Sequence, residues 1–397
     1  MRIVLVTHQF FPSFYTGVER LTLNLANQLG RMGHEAIVVT SADHSNGGAP
    51  SYAYDGVWVR TVAAGDEDRA RPWLQDWRVV DRLVDVLREE RPDIVHVMHP
   101  MRLPQAFEAA ERLDLPVVVH IADFVYLCTR VNLLRLDGSR CPTADDGAAC
   151  VSACRIDSGY ERYTWGKTLL ARAAAVVSPC RWTIERHAAE GFDTTKWHHV
   201  PWGTDYAIHD SRLDPPPGDE LVLGFIGTLL RHKGPHVVVK ALRLLPDRPI
   251  RLLLYGSSFH EDEYERELRQ IAGDDERIVF AGSYDHAELS SILAKLSAVV
   301  IPSIWYENLP TTGLNAIAAR VPLITPDLGG LQELIDDYHC GFTYAADDPQ
   351  ALAALLDELC DNRERLDDVR RALLLPPSLE EEAWSIEGIY AECLAVA

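Results

Sequence analysis

Residues 302 to 324 read PSIWYENLPTTGLNAIAARVPLI and hold the side chains best placed for chemistry. An apolar run, SAVVIP, reads as a buried strand. A turn carrying Glu307 and Asn308 follows, then an Ala-rich helical segment, then a second short apolar run, VPLI. A carboxylate at the end of a parallel strand, just before a helix N-terminus, stands where α/β proteins bind ligands. The helix start offers backbone N–H groups to an anion, and Glu307 adds a fixed acceptor for hydroxyls. That combination suits a sugar attached to a phosphate. Asn308, Leu309, Thr311 and, one turn further on, Asn315 complete this candidate ligand site.

A second candidate is GTLLRHKG, Gly227 to Gly234. A strand leading through a Gly-containing loop into a helix is a natural phosphate site. Gly227 and Thr228 begin that loop, and Lys233 and Arg231 bring positive charge suited to a diphosphate. Taken alone, the same residues also fit a loop of solvated cations.

Three clusters are less specific. His120 and Asp123 end the apolar strand PVVVHI; a lone His there is either a packed structural residue or a ligand contact. Cys128, Cys141, Cys150 and Cys154 lie close in sequence and could form a structural zinc site, or sit as thiols in a plain loop, since clean C-x-x-C spacing is missing. Asp66 to Asp68, beside Arg69 and Arg71, reads as a solvated charge run. His96 and His99 read as a strand end.

The elements around these residues alternate. RIVLVT, AIVVT, DIVHV, PVVVHI and AVVSP read as short buried strands. Val18 to Arg31 has helical spacing, with Leu21, Leu25 and Leu29 on one face. After a Pro-rich acidic linker, Asp214 to Glu220, the pattern restarts with LVLGFIGTL, RLLLYGS, RIVFAG, AVVIPS and VPLIT. Alternation of this kind predicts parallel sheets covered by helices on both faces. The expected architecture is two facing doubly wound domains, with a cleft holding the site at the carboxyl ends of their strands. The predicted division is residues 1–205, residues 206–377, and a helix over 378–397 packing back across the junction.

Bulk properties bound the function. At 397 residues the chain is too long for one ordinary core. Its 47% hydrophobic and 24% charged residues are those of a globular protein. A net charge of −21 argues against nucleic acid and broad adhesion to anionic lipid. No apolar run approaches the roughly 20 residues that span a bilayer. MRIVLVTHQFFP lacks a signal-peptide pattern, so a cytoplasmic address is expected. The eight Cys are scattered, as reduced thiols would be.

Together, these segments resemble the GT4 family of retaining glycosyltransferases (glycosyltransferase group 1). Pro302-Ser303, Glu307 and the Ala-rich helix match the family signature, with Asn315 where its second Glu would stand. Lys233 matches the Lys of the family's nucleotide loop, and Thr228 occupies the position of its Arg, which Arg231 could replace. Gly17, Glu19, Gly33 and His34 match an N-terminal turn, with Thr16 in place of a first Gly. Asp123 matches the Asp of a His-Asp pair; Ala122 stands where the His would be, leaving His120 as a substitute contact to the donor sugar, with Asp123 as a further sugar contact. The segment around His198 and His199 resembles the interdomain linker.

The resemblance implies a GT-B fold, with an acceptor-side first domain and a nucleotide-sugar-binding second domain. It implies transfer, with retention, of a sugar from a nucleotide diphosphate sugar to a hydroxyl acceptor in glycan, polysaccharide or glycoconjugate synthesis. Lys233, Arg231 and Glu307 are then the catalytic residues, and Gly17 is a donor contact. Neither a cofactor nor a metal is required. The departures at Ala122 and Asn315 leave open a non-catalytic sugar-nucleotide binder or a GT-B epimerase.

Overall fold

The computed structural model describes residues 1–14, 16–41, 50–64, 76–208, 218–258 and 262–396. Asp66 to Asp68 and most of the Pro-rich linker fall outside them. The chain divides into two compact units: unit 1 is Met1–Gly203 with Leu379–Ala397, and unit 2 is Thr204–Ser378.

Unit 1 runs β1 (Arg2–Thr7), α1 (Gly17–Arg31), β2 (Glu35–Ser41), β3 (Ser51–Tyr54), β4 (Val57–Val62), α2 (Trp77–Glu90) and β5 (Ile94–Val97). It continues with α3 (Ala106–Glu111), β6 (Val117–His120), α4 (Ala148–Cys154), α5 (Gly159–Arg172), β7 (Ala175–Ser178), α6 (Arg181–Ala189) and β8 (Trp197–His199). Its sheet has the order β3-β4-β2-β1-β5-β6-β7-β8. Every pair is parallel except β3–β4. The central strands are near-continuous runs of Val, Ile and Leu because helices cover both faces. β5, β6 and β7 are buried at every position. On α1, Leu21, Leu25 and Leu29 are buried, as helical spacing requires. Full burial of such a side chain stabilises by about 1.5–3 kcal/mol.

Unit 2 runs β9 (Leu221–Ile226), α7 (Pro235–Arg243), β10 (Ile250–Tyr255), α8 (Asp262–Ala272), β11 (Ile278–Gly282), α9 (Leu289–Leu293) and β12 (Ala298–Val300). Then come α10 (Thr311–Ala318), β13 (Leu323–Pro326), α11 (Gly330–Tyr338), β14 (Gly341–Tyr344), α12 (Pro349–Asp361) and α13 (Glu364–Ala372). The sheet is wholly parallel, in the order β11-β10-β9-β12-β13-β14. That is the dinucleotide-fold order, with its topological switch between β9 and β12. Leu223, Leu252, Val300 and Ile324 join Val238 of α7 and Leu356 of α12 in its core.

The last helix, α14 (Leu379–Val396), returns to unit 1. His34 Nε2 lies 2.7 Å from Glu387, and His96 Nδ1 lies 2.6 Å from the Tyr390 hydroxyl. The Gly203 N–H donates to Glu382 Oε2 at 2.8 Å. The segment between β6 and α5, expected as loop or zinc site, contains the short α4. Among the described residues no three His, Cys, Asp or Glu side chains converge to hold a metal. Cys128, Cys141, Cys150 and Cys154 are buried free thiols. Burial, with Cys150 and Cys141 nearby, pushes the Cys128 thiol up to about 11, and the Cys141 thiol donates to the Thr143 carbonyl.

Candidate functional site

The two loops flanking the switch point of unit 2 are the two that the sequence singles out. The loop after β9 carries Gly227 to Gly234, and the loop after β12 carries Pro302 to Pro310. They are fastened together by backbone: the Ile304 N–H donates to the His232 carbonyl at 3.0 Å. Gly234 has φ +71°, and a Cβ there would lie 1.9 Å from the Pro302 carbonyl oxygen, so only glycine permits this approach. Gly330, at the start of α11, performs the same service on the other side: a Cβ would lie 1.8 Å from the Asn308 carbonyl oxygen. The Thr312 hydroxyl ties the first turn of α10 to the Ile226 carbonyl at the end of β9.

This stitching brings together two side chains 74 residues apart. Lys233 Nζ lies 2.8 Å from Glu307 Oε1. Ser303 Oγ at 2.6 Å and Trp305 Nε1 at 2.9 Å donate to the same oxygen. The second carboxylate oxygen carries none of these three bonds. Lys233 Nζ also sits 5.0 Å from the centre of the Trp305 ring, in cation–π contact. The Glu307 side chain is only 6% exposed, against 30% for Lys233. Burial raises the Glu307 pKa, but the charge and hydrogen bond of Lys233, with Ser303 and Trp305, outweigh it, so the carboxyl is held below its usual range. The pair is thus a fixed anion and a reachable cation. His232, its ring edge-on to Trp305 at 5.2 Å, is lowered to about 4 by burial and by Lys233, and so is neutral near pH 7.

The remaining expected residues fall in several places. Gly227, Thr228, Asn308, Leu309, Thr311 and Asn315 all lie on these two loops or the first turns of α10. Arg231 does not join Lys233. Its guanidinium pairs with Glu267 and lies 4.8 Å from the Tyr264 ring, both on α8.

In unit 1, His120 is a buried ring rather than one that faces solvent. It is 1% exposed, stacked 4.1 Å from Trp202 and 5.3 Å from His96. Burial, with His96 alongside, lowers its pKa well below the usual value. It is a neutral ring packed between His96 and Trp202. Asp123 instead meets His99, with Nε2 at 3.0 Å from Oδ2. Gly17 opens α1 with nothing within 4 Å of where a Cβ would be. His99 and Trp305 had no assigned role in the sequence reading, and Ser303 only a place in the signature. The signal for Trp305 and Ser303 was their place beside Glu307; His99 offered none beyond its place at a strand end.

Comparison with known proteins bears on the family and the fold. Residues 16–203 match the pattern of the Glycosyl transferase 4-like domain, and residues 210–372 that of Glycosyl transferases group 1. The chain is 26% identical over 387 residues to the GDP-mannose-dependent alpha-mannosyltransferase of Mycolicibacterium smegmatis, covering 92% of this chain and 90% of that protein. Its fold resembles that of Anabaena Alr3699/HepE, solved in complex with UDP-glucose, with TM-score 0.72, 17% identity and all of both chains covered. It likewise resembles sucrose-phosphate synthase from Thermosynechococcus elongatus, with TM-score 0.74, 16% identity and all of both chains covered. Matching both domain patterns, residues 16–203 and 210–372, and carrying two parallel-sheet α/β units, the chain belongs to the GT4 glycosyltransferases and has their GT-B fold.

Proposed function

We propose that unit 2 binds a nucleotide diphosphate sugar at the mouth of β9 and β12, and that the enzyme transfers the sugar with retention to a hydroxyl acceptor. The observation carrying this reading is the Lys233–Glu307 pair at the switch point of the dinucleotide-type sheet. Charge develops on the diphosphate as the sugar leaves. Lys233 and the N–H groups of the first turn of α10 stabilise it there. Glu307, kept ionised and immobile by three donors, offers its less engaged oxygen to the sugar hydroxyls. Fixed orientation of this kind lowers the barrier by removing the entropy of alignment. A donor phosphate oxygen takes the acceptor proton. Arg231 would join the diphosphate only by leaving Glu267.

The relatives' names guide the choice of donor, and GDP-mannose and UDP-glucose head the panel. Release of the nucleoside diphosphate from one of them, with the sugar recovered in α-linkage on a hydroxyl compound, is the expected result. No release from any donor sinks the reading. With Lys233 as the cation, no metal is needed, so the initial rate stays within twofold in EDTA. An immediate loss restored by Mg²⁺ or Mn²⁺ would overturn that part. A cytoplasmic address is the reading that eight free thiols support. Among the described residues no helix is long and apolar enough to cross a membrane.

A further inference from the structure

Unit 1 has a switch point of its own, between β1 and β5, where β1 lies between β2 and β5. Four titratable side chains gather at the strand ends there. His8 follows β1, His99 follows β5, Asp123 follows β6, and Glu19 lies in the first turn of α1. The His8 and His99 rings are 4.4 Å apart, tilted by 46°. His8 Nε2 is 3.7 Å from Glu19 Oε1, while Glu19 Oε2 accepts the Thr16 hydroxyl at 2.6 Å. His99 Nδ1 accepts the Met101 N–H at 3.3 Å, so its proton sits on Nε2 and is donated to Asp123 Oδ2 at 3.0 Å. Asp123 Oδ1 takes the Val125 N–H at 2.8 Å.

Exposure along this chain of groups is graded. Glu19 is 0% exposed and His99 3%, whereas His8 is 13% and Asp123 23% exposed. Asp123 is therefore the end that meets solvent. Each of its oxygens has one donor and retains further acceptor capacity, and its direction is set by a buried imidazole of fixed tautomer. A carboxylate oriented in this way at the carboxyl ends of parallel strands is built to accept a hydrogen bond from a hydroxyl. Nothing in the transfer chemistry assigned to Lys233 and Glu307 uses it.

We propose that Asp123, oriented by His99, binds a hydroxyl of the acceptor, a polyol such as a glycoside or a cyclitol. Asp123 touches the substrate, and His99 is a positioning residue. This rests on the glycosyl-transfer reading above. No bond to Asp123 is made; the carboxylate fixes the attacking or a neighbouring hydroxyl.

The test uses the intact enzyme with the donor that releases nucleotide, and methyl α-D-mannopyranoside and myo-inositol as acceptor probes. Asp123→Asn should raise the KM of the productive probe at least tenfold. Transfer of the sugar to water, read as nucleotide release without acceptor, should stay within twofold, as should the Kd of the nucleoside diphosphate. His99→Phe should raise the acceptor KM about threefold or more, and His99→Gln, which restores a donor to Asp123, should recover most of that loss. Unchanged acceptor KM in Asp123→Asn overturns the proposal. So does a parallel fall of transfer and hydrolysis. Should no donor turn over, the transfer reading has failed, and saturation-transfer NMR of the two polyols then tests the site directly. Binding that Asp123→Asn abolishes supports it; no binding to the wild type, or equal binding to the variant, overturns it.

Discussion

Two buried glutamates, one in the proposed donor site and one in structural packing, show how differently burial can end in this molecule. Glu307 of unit 2 and Glu382 of unit 1 are both about 5% exposed. Glu382 accepts the Gly203 N–H, but burial dominates and its pKa rises to about 7. Around it the polar groups also favour their neutral forms. His96 is lowered to about 3 by burial, and the Tyr390 phenol is pushed well above its usual range. Glu307 suffers the same desolvation, yet Lys233, Ser303 and Trp305 reverse it. Burial alone drives a carboxyl toward its neutral form. Holding it ionised takes a cation and donors brought from separate loops, and such an arrangement favours selection for chemistry.

The largest effect that tests this contrast is removal of the cation. Lys233→Ala should lower transfer by about a hundredfold, the usual scale for losing one preorganised electrostatic group. It should also destabilise unit 2 by about 1–3 kcal/mol, less than for a fully buried pair because Lys233 is partly exposed. Adding Glu307→Gln should restore most of the stability and none of the activity. Urea melts and nucleotide-release assays on the two variants measure both. If Lys233→Ala retains wild-type turnover, the diphosphate assignment is wrong. If the double variant is no more stable than the single one, Glu307 was not left as a buried unpaired charge.

Glu307→Ala should cost about tenfold or more in transfer while nucleoside diphosphate affinity stays within threefold, because the diphosphate keeps Lys233 and the start of α10. Comparing the Kd of the nucleotide with that of the nucleotide sugar separates the roles. An equal loss for both ligands would move Glu307 from the sugar to the nucleotide.

Much of this contrast was legible only on one side. The alternation of short apolar strands with helices predicted two doubly wound units, because buried parallel strands need continuous runs of Val, Ile and Leu. Local motifs also exposed the Glu307 turn and the Lys233 loop, since strand, turn and helix start are adjacent in sequence. The pairing of Lys233 with Glu307 was hidden, because it depends on Gly234 meeting Pro302 across the sheet. His120 was overvalued for the same reason: its neighbours, His96 and Trp202, are far away in sequence. Asp123 was visible, but its partner His99 was not, since β5 and β6 meet only in the folded sheet. Arg231 illustrates the converse. Its charge suggested phosphate, and only the fold shows Glu267 and Tyr264 beside it. β3 and β4 were missed: β3, SYAY, is a short half-exposed edge strand, and its antiparallel partner β4, VWVRTV, alternates in burial instead of forming a continuous buried run.

The smallest expected effect concerns Glu382 and has a definite sign. Its pKa in the folded chain, about 7, lies above the ordinary carboxyl value of 4.5. The folded form therefore binds the proton more tightly than the unfolded one. The resulting stabilisation is fully present below pH 4.5 and is lost as pH rises through about 7. Glu307, shifted the other way, contributes stability above its unfolded value that is lost only in more acidic solution. Between pH 5.5 and 8, then, unit 1 should weaken while the Lys233–Glu307 pair is unaffected. The full shift corresponds to at most about 3 kcal/mol, which amounts to several degrees in Tm for a unit of this size. Glu382→Gln, unable to ionise, should flatten that decline without changing transfer at pH 6 by more than twofold. Tm measured across the range for both proteins decides the matter. An equal slope in wild type and variant would mean that Glu382 remains ionised in the folded chain, and that burial near Gly203 does not outweigh its hydrogen bond.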